Sequence, residues 1–550
     1  MAKKSARKST KTAKKKEADS KKSFEQTLWD TADKLRGTVE SSEYKHVVLS
    51  LIFLKFVSDR FQARRQAIID EGHDQHVDMV EFYTMKNVFY LPEKSRWSTI
   101  AGQAKQDDIA VRIDSALHAI EKNNPSLKGA LPDNYFSRMG IDVAKLAALI
   151  DSINNINTVE DSQEGAAGEE DIVGRVYEYF LGKFAATEGK GGGEFYTPKC
   201  VVNLIAEMIE PYSGKIYDPC CGSGGMFVQS VKFITSHSGN QKDISIYGQE
   251  QTSTTYKLAK MNLAIRGISG NLGEVPADTF FKDQHPDLKA DYIMANPPFN
   301  LKAWRGTDEL TDDARWSGYE VPPTGNANYG WILHMISKLS ENGIAGFVLA
   351  NGSMSTSTKG EGDIRQKIIE NDLVDCMIAL PGQLFYTTPI PVCLWFLTKS
   401  KSARKVKGRS ESNQRARTGE TLFIDARNHG SMMDRTHKEL TEADIAEIVD
   451  TYHNWRSDKY KPEAQSDGTS EPVYKDKPGF CKSSTIEDIA ANDYVLTPGR
   501  YVGAAPLEDD GIPFETKMTD LTTTLYQQMD DAKKLDKSIQ KNLEALGYGK

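Results

Sequence analysis

Several features that would assign the chain to a particular class are missing from its 550 residues. The longest apolar run, Val47 to Val57, is interrupted by Lys55 and is too short to cross a bilayer. No apolar stretch of a signal peptide follows the amino-terminal lysines. The six cysteines are Cys200, Cys220, Cys221, Cys376, Cys393 and Cys481. They show neither a zinc-ligand spacing nor a disulfide framework, which is typical of a reducing compartment. We therefore expect a cytoplasmic protein with no metal centre and no membrane function.

An excess of positive charge is also missing. The net charge is −8, although charged residues make up 27% of the chain, so the two signs are mixed along it. A chain of this kind does not attract nucleic acid through its overall charge. If it acts on nucleic acid, local patches or a partner must neutralise much of the phosphate charge.

Composition divides the chain into four predicted regions. Residues 1–22 form a Lys-rich tail, which we expect to be disordered and either to contact phosphate or to remain solvated. Residues 23–185 follow helical spacing and predict a helical domain. Residues 186–457 alternate strands with helices, and residues 458–550 lead through Pro- and Gly-containing loops into one long helix. The alternation predicts an α/β fold with a mostly parallel sheet covered on both faces.

The most informative stretch is residues 290–299. Residues 290–295 predict a buried strand, which ends at Asn296-Pro297-Pro298-Phe299 because proline cannot donate to a sheet ladder. Ligands bind at this end of the strands in open α/β sheets. The Asn296 side-chain oxygen and the Pro297 carbonyl can both accept from one exocyclic amine, while Phe299 stacks on the attached base. The pattern suits adenine, and a Pro-Pro turn beside a core phenylalanine is the alternative for the tetrapeptide alone.

A second motif, Gly222-Ser223-Gly224-Gly225, lies between a predicted strand and a predicted helix. It is a nucleotide-type loop without the Gly-Lys-Ser/Thr that binds ATP phosphates. Asp218, at the end of the strand before this loop, offers a carboxylate to the ammonium of an amino acid. Glu250, after the next strand, is placed to accept from both ribose hydroxyls, and Asp278, with Glu274 close by, from an adenine amine. Each acid alone is more often a surface or capping residue, but amino acid, ribose and adenine in this order describe S-adenosylmethionine.

A glycine-rich run at residues 189–193 precedes Glu194-Phe195-Tyr196-Thr197-Pro198-Lys199. Glycines permit close approach of the backbone to a ligand, and Pro198 suits the first turn of a helix predicted over residues 201–209. The aromatic pair and Thr197 favour a ligand-binding segment. A flexible linker is the alternative.

Asp218 to Gly225 followed by Asn296 to Phe299 resembles the motifs of the amino-group DNA methyltransferases that act on adenine N6. The whole chain is similar to one branch of that group, the methylation (modification) subunits of type I restriction–modification systems. The resemblance covers most of residues 23–500. It is carried by Leu28-Trp29-Asp30, by Lys55-Phe56-Val57-Ser58-Asp59, by Gly193 to Pro198, by Gly382 to Pro391 and by Thr421 to Ala426.

The resemblance implies a Rossmann-like, S-adenosylmethionine-dependent methyltransferase sheet between an N-terminal all-α domain and a C-terminal helical segment. It implies that Glu194 to Lys199, Ser223 to Gly225 and Glu250 bind S-adenosylmethionine, and that Asn296 to Phe299 is the catalytic motif. The implied reaction is methylation of adenine N6 in duplex DNA, with the base flipped out of the helix. No covalent enzyme intermediate is needed. Cys220 and Cys221, which come directly before the Gly222 to Gly225 loop (the glycine turn), are therefore expected to be packing residues.

Nothing between Asn296 and the C-terminus has the size of a domain that reads several base pairs, and the C-terminal part carries no basic cluster. Together with the net charge, this predicts that sequence recognition lies in another chain. The resemblance implies a DNA specificity subunit bound by two methylation subunits, joined by a restriction subunit. An apolar stripe from Phe514 to Leu546 predicts a helix that packs on another helix, and we expect it to contribute to the specificity-subunit contact.

Two other functions compete with this one. The same tetrapeptide serves amino-methyltransferases that act on RNA adenine or on a protein glutamine amide, but the long N-terminal helical region and the C-terminal helix fit these poorly. A non-catalytic assembly subunit with a relict cofactor fold is the rival from a different class. It would have lost acids or a broken Asn-Pro-Pro-Phe, whereas every expected position is filled.

Overall fold

The computed structural model describes residues 29–30, 33, 41–155, 179–180, 183, 197–237, 239–358, 360–385, 390–406, 413–461, 473–504 and 513–547. The predicted tail of residues 1–22, the glycine run and Glu194-Phe195-Tyr196 lie outside these ranges. The chain forms two compact units, Met1–Val502 and Gly503–Lys550. The domain boundaries expected near residues 22, 185 and 457 stay predictions.

Helices make up the first part of the larger unit. They are α1 (Ser41–Asp70), α2 (Glu81–Thr84), α3 (Trp97–Gly102), α4 (Ile109–Asn123), α5 (Tyr135–Arg138) and α6 (Val143–Asn154), with 3₁₀ turns at Asp74–His76, Glu93–Ser95 and Pro125–Leu127. Val47, Leu51 and Leu54 of α1 are fully buried, as their helical spacing predicts. The core around α1 extends to Leu258 and Met261 of the sheet-containing part, so the two parts share apolar packing.

The rest of this unit alternates strands and helices. The strands are β1 (Gly214–Asp218), β2 (Ile244–Gly248), β3 (Gly270–Asn271), β4 (Ala290–Ala295), β5 (Leu339–Ala350), β6 (Val374–Ala379), β7 (Val392–Thr398), β8 (Arg404–Lys405), β9 (Asn413–Gln414), β10 (Glu420–Asp425), β11 (Ser431–Met432), β12 (Lys438–Glu439) and β13 (Cys481–Thr485). The helices are α7 (Lys199–Ile209), α8 (Gly225–Ser236), α9 (Ser253–Ile265), α10 (Asn328–Lys338), α11 (Glu361–Glu370), α12 (Glu442–Arg456) and α13 (Ile486–Ala490). Further 3₁₀ turns lie at Gln241–Asp243, Ala314–Trp316, Asn351–Met354 and Pro498–Arg500.

Nine of these strands form one sheet in the order β13-β10-β6-β7-β5-β4-β1-β2-β3. The strands from β3 to β5 run parallel, as predicted, but β7 is antiparallel to both of its neighbours, and β13 is antiparallel to β10. A parallel return needs a long crossover, usually a helix. The connection over residues 380–391 contains three prolines and, in its described residues, no helix. The strand order reverses between β1 and β4, where open α/β sheets bind ligands.

Helix α7 is packed closely against the sheet beside this reversal. Most of its side chains are buried, including Val201, Leu204 and Ile205. Gly346 of β5 makes the close contact possible, because a Cβ atom there would lie 2.9 Å from Ile205 Cγ2. The start of α7 is therefore a rigid support for the residues that precede it.

Two cations of the basic segment that follows β7, residues 401–417, are held inside the larger unit. Lys401 pairs with Asp372 at 2.6 Å, and Arg417 pairs with Asp375 at 2.7 Å. The Arg417 and Asp375 side chains are both completely buried. Burial raises the pKa of Asp375, but the Arg417 guanidinium outweighs this effect and lowers the pKa to about 2. The two ion pairs fasten the segment that follows β7 onto β6. Lys401 and Arg417 are therefore not available to bind phosphate.

The smaller unit contains one long helix, α14 (Phe514–Ala545), which the apolar stripe had predicted. Its apolar side chains are exposed, for example Leu521 at 58% and Leu525 at 54%. Within the ranges that the structure covers, no helix combines the length and apolar character needed to cross a membrane.

Candidate functional site

A cavity of about 310 Å³ opens where β1, β2 and β4 end. Its walls include Asp218, the last residue of β1, Glu250, two residues after β2, and Asn296, which directly follows β4. Carboxyl ends of parallel strands meet at one edge of a sheet, so residues far apart in the sequence converge there. The glycine turn and the Asn-Pro-Pro-Phe motif therefore face the same space.

The cavity brings together most of the predicted site residues. Its lining includes Thr197, Lys199, Asp218, Gly222, Ser223, Gly225, Glu250, Asp278, Asn296 and Pro298. Of the predicted residues that the structure describes, four are not in the lining: Pro198, Gly224, Pro297 and Phe299. Pro198 caps the start of α7 and Gly224 that of α8, so both are structural neighbours of the lining. Glu274, the other acid considered for the third loop, is exposed and does not line the cavity.

The Asn296 carboxamide is held from one side. Its Nδ2 donates to Thr197 Oγ1 at 3.0 Å, a contact across 99 positions of sequence. Its Oδ1 is buried and has no hydrogen-bond partner among the described residues. A buried acceptor without a donor is costly, so this oxygen is suited to receive an N–H group from a ligand.

The glycine turn exposes its backbone to the cavity. Gly222 and Gly224 adopt φ angles of 53° and 80°, in the left-handed region that favours glycine. A Cβ atom at Gly225 would meet nothing within 4 Å, so this residue faces open space where α8 begins. The turn is fixed from behind by Asn262, whose Nδ2 donates to the Ser223 carbonyl at 2.7 Å.

Two acids that line the cavity are nearly buried. Burial raises the pKa of Asp218 to about 7, although its Oδ1 accepts the N–H of Cys220 at 3.0 Å. Burial also raises the pKa of Glu250, whose two oxygens accept the N–H groups of Gly222 at 3.2 Å and Thr252 at 2.7 Å. A buried acid with a raised pKa gains from a cationic or hydrogen-bonding ligand. Both acids are therefore candidates for ligand contacts.

The loop that carries Asp278 is fastened to its surroundings. Asp278 accepts the Phe280 N–H at 2.7 Å, and the Thr279 hydroxyl donates to the Pro219 carbonyl at 2.6 Å. Arg315 donates to the Phe280 carbonyl at 2.6 Å and to the Thr279 carbonyl at 3.2 Å. The insert after Asn-Pro-Pro-Phe thus packs back onto this wall of the cavity, which the sequence did not predict.

Aromatic side chains that the sequence did not single out form another wall. Phe280 lies between Trp304 and Trp331, with ring centroids at 4.4 and 4.3 Å, and all three residues line the cavity. The Trp331 indole N–H is buried without a partner among the described residues. Phe299 packs edge-on against Phe385, at 5.8 Å between centroids. These contacts join segments far apart in sequence, so no local pattern reveals them.

The thiols in the lining are poorly suited to act as nucleophiles. Burial raises the pKa of both Cys220 and Cys221 well above the usual value for cysteine, which keeps them protonated. That both cysteines are packing residues of the turn stays a prediction.

The chain matches two family models. One, described as N-6 DNA methylase, matches residues 168–510, and the other, described as HsdM N-terminal domain, matches residues 24–153. The crystal structure of the type I restriction-modification methyltransferase subunit from Streptococcus thermophilus has a TM-score of 0.69 at 22% identity, covering 87% of this chain and 98% of that one. This likeness confirms the predicted fold class.

Two relatives are similar over most of their length. The type I restriction enzyme HindI methylase subunit of Haemophilus influenzae is 49% identical over 473 residues, which is 83% of this chain and 100% of that protein. The MjaIX methylase subunit of Methanocaldococcus jannaschii is 38% identical, over 96% of this chain and 92% of that protein. The chain therefore belongs to the N-6 DNA methylase family, in the branch of the type I restriction enzyme methylase subunits.

Proposed function

We propose that the protein transfers the methyl group of S-adenosylmethionine to adenine N6 in duplex DNA, with Asn296 to Phe299 as its catalytic motif. The observation that supports this most is the shared cavity. Asn296, the glycine turn and Glu250 line the same space, and the buried Asn296 Oδ1 has no donor among the residues that the structure describes. An exocyclic amine is the kind of group that such an acceptor binds.

The lining fits S-adenosylmethionine. Asp218 and Glu250 supply carboxylates for its ammonium and its ribose hydroxyls, and Asp278 supplies one for its adenine amine. Gly225 leaves space for close approach of the ligand, and Phe280 offers an aromatic face. When bound, the cofactor supplies an electrophilic methyl group on a sulfonium. The segment Glu194 to Lys199, of which Thr197 and Lys199 line the cavity, is assigned to the same ligand.

Asn296 and Pro297 prepare the target amine. The N6 lone pair of adenine is delocalised into the ring and is a poor nucleophile. Hydrogen bonds from N6 to the Asn296 Oδ1 and the Pro297 carbonyl favour a tetrahedral nitrogen with a localised lone pair. Holding this nitrogen in line with the methyl group supplies the remaining rate enhancement through orientation.

The target adenine must leave the duplex, and Phe299 is assigned to stack on it. A T-shaped contact with Phe385, at 5.8 Å between centroids, holds the Phe299 ring in place. Stacking on an aromatic side chain offsets part of the cost of unpairing and unstacking the base.

A tritiated-methyl assay tests the activity. The protein, co-purified with its specificity subunit, is incubated with labelled S-adenosylmethionine and with duplex DNA, RNA or protein from the same host. We expect label in DNA, on adenine N6, and none in RNA or protein. Label in RNA or protein would favour the rival methyltransferases, and failure to bind S-adenosylmethionine would favour the non-catalytic assembly subunit.

Target recognition is assigned to a separate specificity subunit, and α14 is assigned to the contact with it. Two methylation subunits per specificity subunit, and a restriction subunit in the full complex, complete the proposed assembly. The exposed apolar stripe of α14 has the near-heptad spacing of a helix that packs on a partner helix. Deleting residues 513–550 is expected to abolish co-purification with the specificity subunit.

A paired set of substitutions makes this test specific to the stripe. Leu521→Asp with Leu525→Asp places two charges on the apolar face, and we expect it to act like the deletion. Thr523→Asp with Lys534→Asp places two aspartates on the opposite face of α14. With this pair we expect co-purification to persist. If both double variants co-purify equally well with the specificity subunit, the assignment of α14 to that contact is wrong.

A further inference from the structure

The hydrogen bond between Asn296 and Thr197 has a consequence for catalysis. A carboxamide carries a donor and an acceptor at the ends of a short fork, and rotating it by half a turn exchanges them. In the structure the Nδ2 end is held by Thr197 Oγ1 at 3.0 Å, and the buried Oδ1 end has no partner in the described part of the chain. In this orientation the Thr197 hydroxyl accepts from Nδ2 and leaves the oxygen end of the fork for a ligand.

Only one orientation suits an amine. With Oδ1 toward the ligand, the carboxamide accepts an N–H from adenine N6. With Nδ2 toward the ligand, two donors would meet, and the lone pair of N6 would receive no help in localising. A carboxamide that rotates freely thus spends part of its time in an unproductive state, which lowers the rate of transfer rather than the affinity for the methyl donor.

Thr197 is well placed to act as a fixed support. It stands immediately before Pro198, the cap of α7, and α7 is buried against the sheet at Gly346. Threonine is β-branched, so its χ1 angle is restricted and its hydroxyl is held in place. Asn296 stands at the end of β4, so two rigid elements meet through this hydrogen bond.

We propose that Thr197 is a positioning residue for methyl transfer, whose hydroxyl holds the Asn296 carboxamide so that its oxygen faces the adenine amine. This inference rests on the proposed function. It differs from the cofactor contact that the resemblance implies for Thr197, because its effect falls on the rate of transfer at saturating cofactor.

Thr197→Val and Thr197→Ser separate the hydroxyl from the shape of the side chain. Single-turnover transfer to duplex DNA is measured at saturating S-adenosylmethionine, and the Kd for S-adenosylmethionine is measured by titration, both with the complex that contains the specificity subunit. For Thr197→Val we expect a rate at saturating S-adenosylmethionine at least about tenfold lower, the size of one lost hydrogen bond to a buried polar group, whatever change in Kd its cofactor contact adds. Thr197→Ser keeps the hydroxyl, and its rate is expected to remain within about threefold of the wild type.

Thr279→Val is the matched control. It removes a hydroxyl from another wall of the same cavity, where Thr279 holds the loop of Asp278 to Pro219. We expect it to raise the Kd for S-adenosylmethionine and to leave the saturated rate near that of the wild type. A saturated rate that falls in Thr197→Val but not in Thr279→Val is the signature of a positioning role for Thr197.

Three results would overturn the proposal. In the first, Thr197→Val weakens S-adenosylmethionine binding and keeps a normal saturated rate, which makes Thr197 a cofactor contact. In the second, Thr197→Ser is as slow as Thr197→Val, and in the third neither variant changes the rate. A failure of the proposed function is distinguishable, because the wild-type complex would then transfer no methyl group or Asn296→Ala would still transfer it.

Discussion

The affinity for S-adenosylmethionine is expected to rise with pH, and Asp218 is the cause. Its side chain is 2% exposed, and burial raises the pKa of its carboxyl to about 7. Without ligand, the folded protein therefore keeps this carboxyl largely protonated below pH 7. In the proposed site the ligand ammonium pairs with the ionised form, so binding below pH 7 would first have to remove a proton.

The size of the effect follows from the pKa. With a pKa of about 7, roughly one tenth of the Asp218 carboxyls are ionised at pH 6 and roughly nine tenths at pH 8. The apparent Kd should therefore be about tenfold higher at pH 6 than at pH 8. Binding at pH 6 should release close to one proton, and binding at pH 8 should release almost none.

Isothermal titration calorimetry between pH 6 and 8, in buffers of different ionisation enthalpy, measures the Kd and the proton release together. Asp218→Asn should bind more weakly at pH 8 and show no rise of affinity with pH. Glu250→Gln is the control, because the pKa of Glu250 is also raised by burial. It should weaken binding at every pH and keep the rise. A pH-independent Kd in the wild type, or a rise that survives in Asp218→Asn, would refute the role of Asp218.

Three further predictions concern other parts of the molecule. Gly225→Ala should keep the wild-type Tm, because its Cβ atom meets nothing within 4 Å, but it should raise the Kd for S-adenosylmethionine. Gly224→Ala, at a φ of 80°, should instead lower the free energy of unfolding by about 1 kcal/mol. Phe299→Ala should lower the rate of methyl transfer by an amount worth about 1–3 kcal/mol of stacking and leave the cofactor Kd unchanged, and Phe299→Tyr should restore the rate. Arg417→Met should cost about 3–5 kcal/mol in urea unfolding, because it leaves the Asp375 carboxylate buried without its partner.

Each of these predictions has a contrary outcome. An unchanged Kd in Gly225→Ala would show that the ligand does not approach the turn there. A raised cofactor Kd in Phe299→Ala, with a normal rate, would move Phe299 from the target base to the cofactor. If Arg417→Met unfolds at the same urea concentration as the wild type, the buried ion pair contributes little to stability.

The elements that form the edge of the sheet could be predicted from the sequence. The apolar runs ending at Asp218, Glu250 and Asn296 are short, and each is followed by a turn or loop signal, so local chemistry identifies the strands and their ends. The rule that carboxyl ends of parallel strands converge then brings these residues together. The cavity lining is consistent with that expectation.

The contacts across the sheet and between loops could not be predicted in the same way. The Thr197–Asn296 hydrogen bond and the Phe299–Phe385 contact join residues more than eighty positions apart, and no periodicity encodes such pairs. The reversed direction of β7 depends on how a proline-containing connection returns to the sheet, which its strand pattern does not specify. Sequence reasoning identified the chemical groups, and the fold determined their mutual orientation.

In the proposed mechanism Asn296 holds an adenine amine beside S-adenosylmethionine, whose methyl group is transferred to that amine. The most direct test co-expresses the wild-type chain or Asn296→Ala with the neighbouring specificity gene and maps N6-methyladenine in the host DNA. We predict methylation at one recurring sequence with the wild type and none with Asn296→Ala, which should still bind S-adenosylmethionine. Methylation that persists in Asn296→Ala would contradict the account.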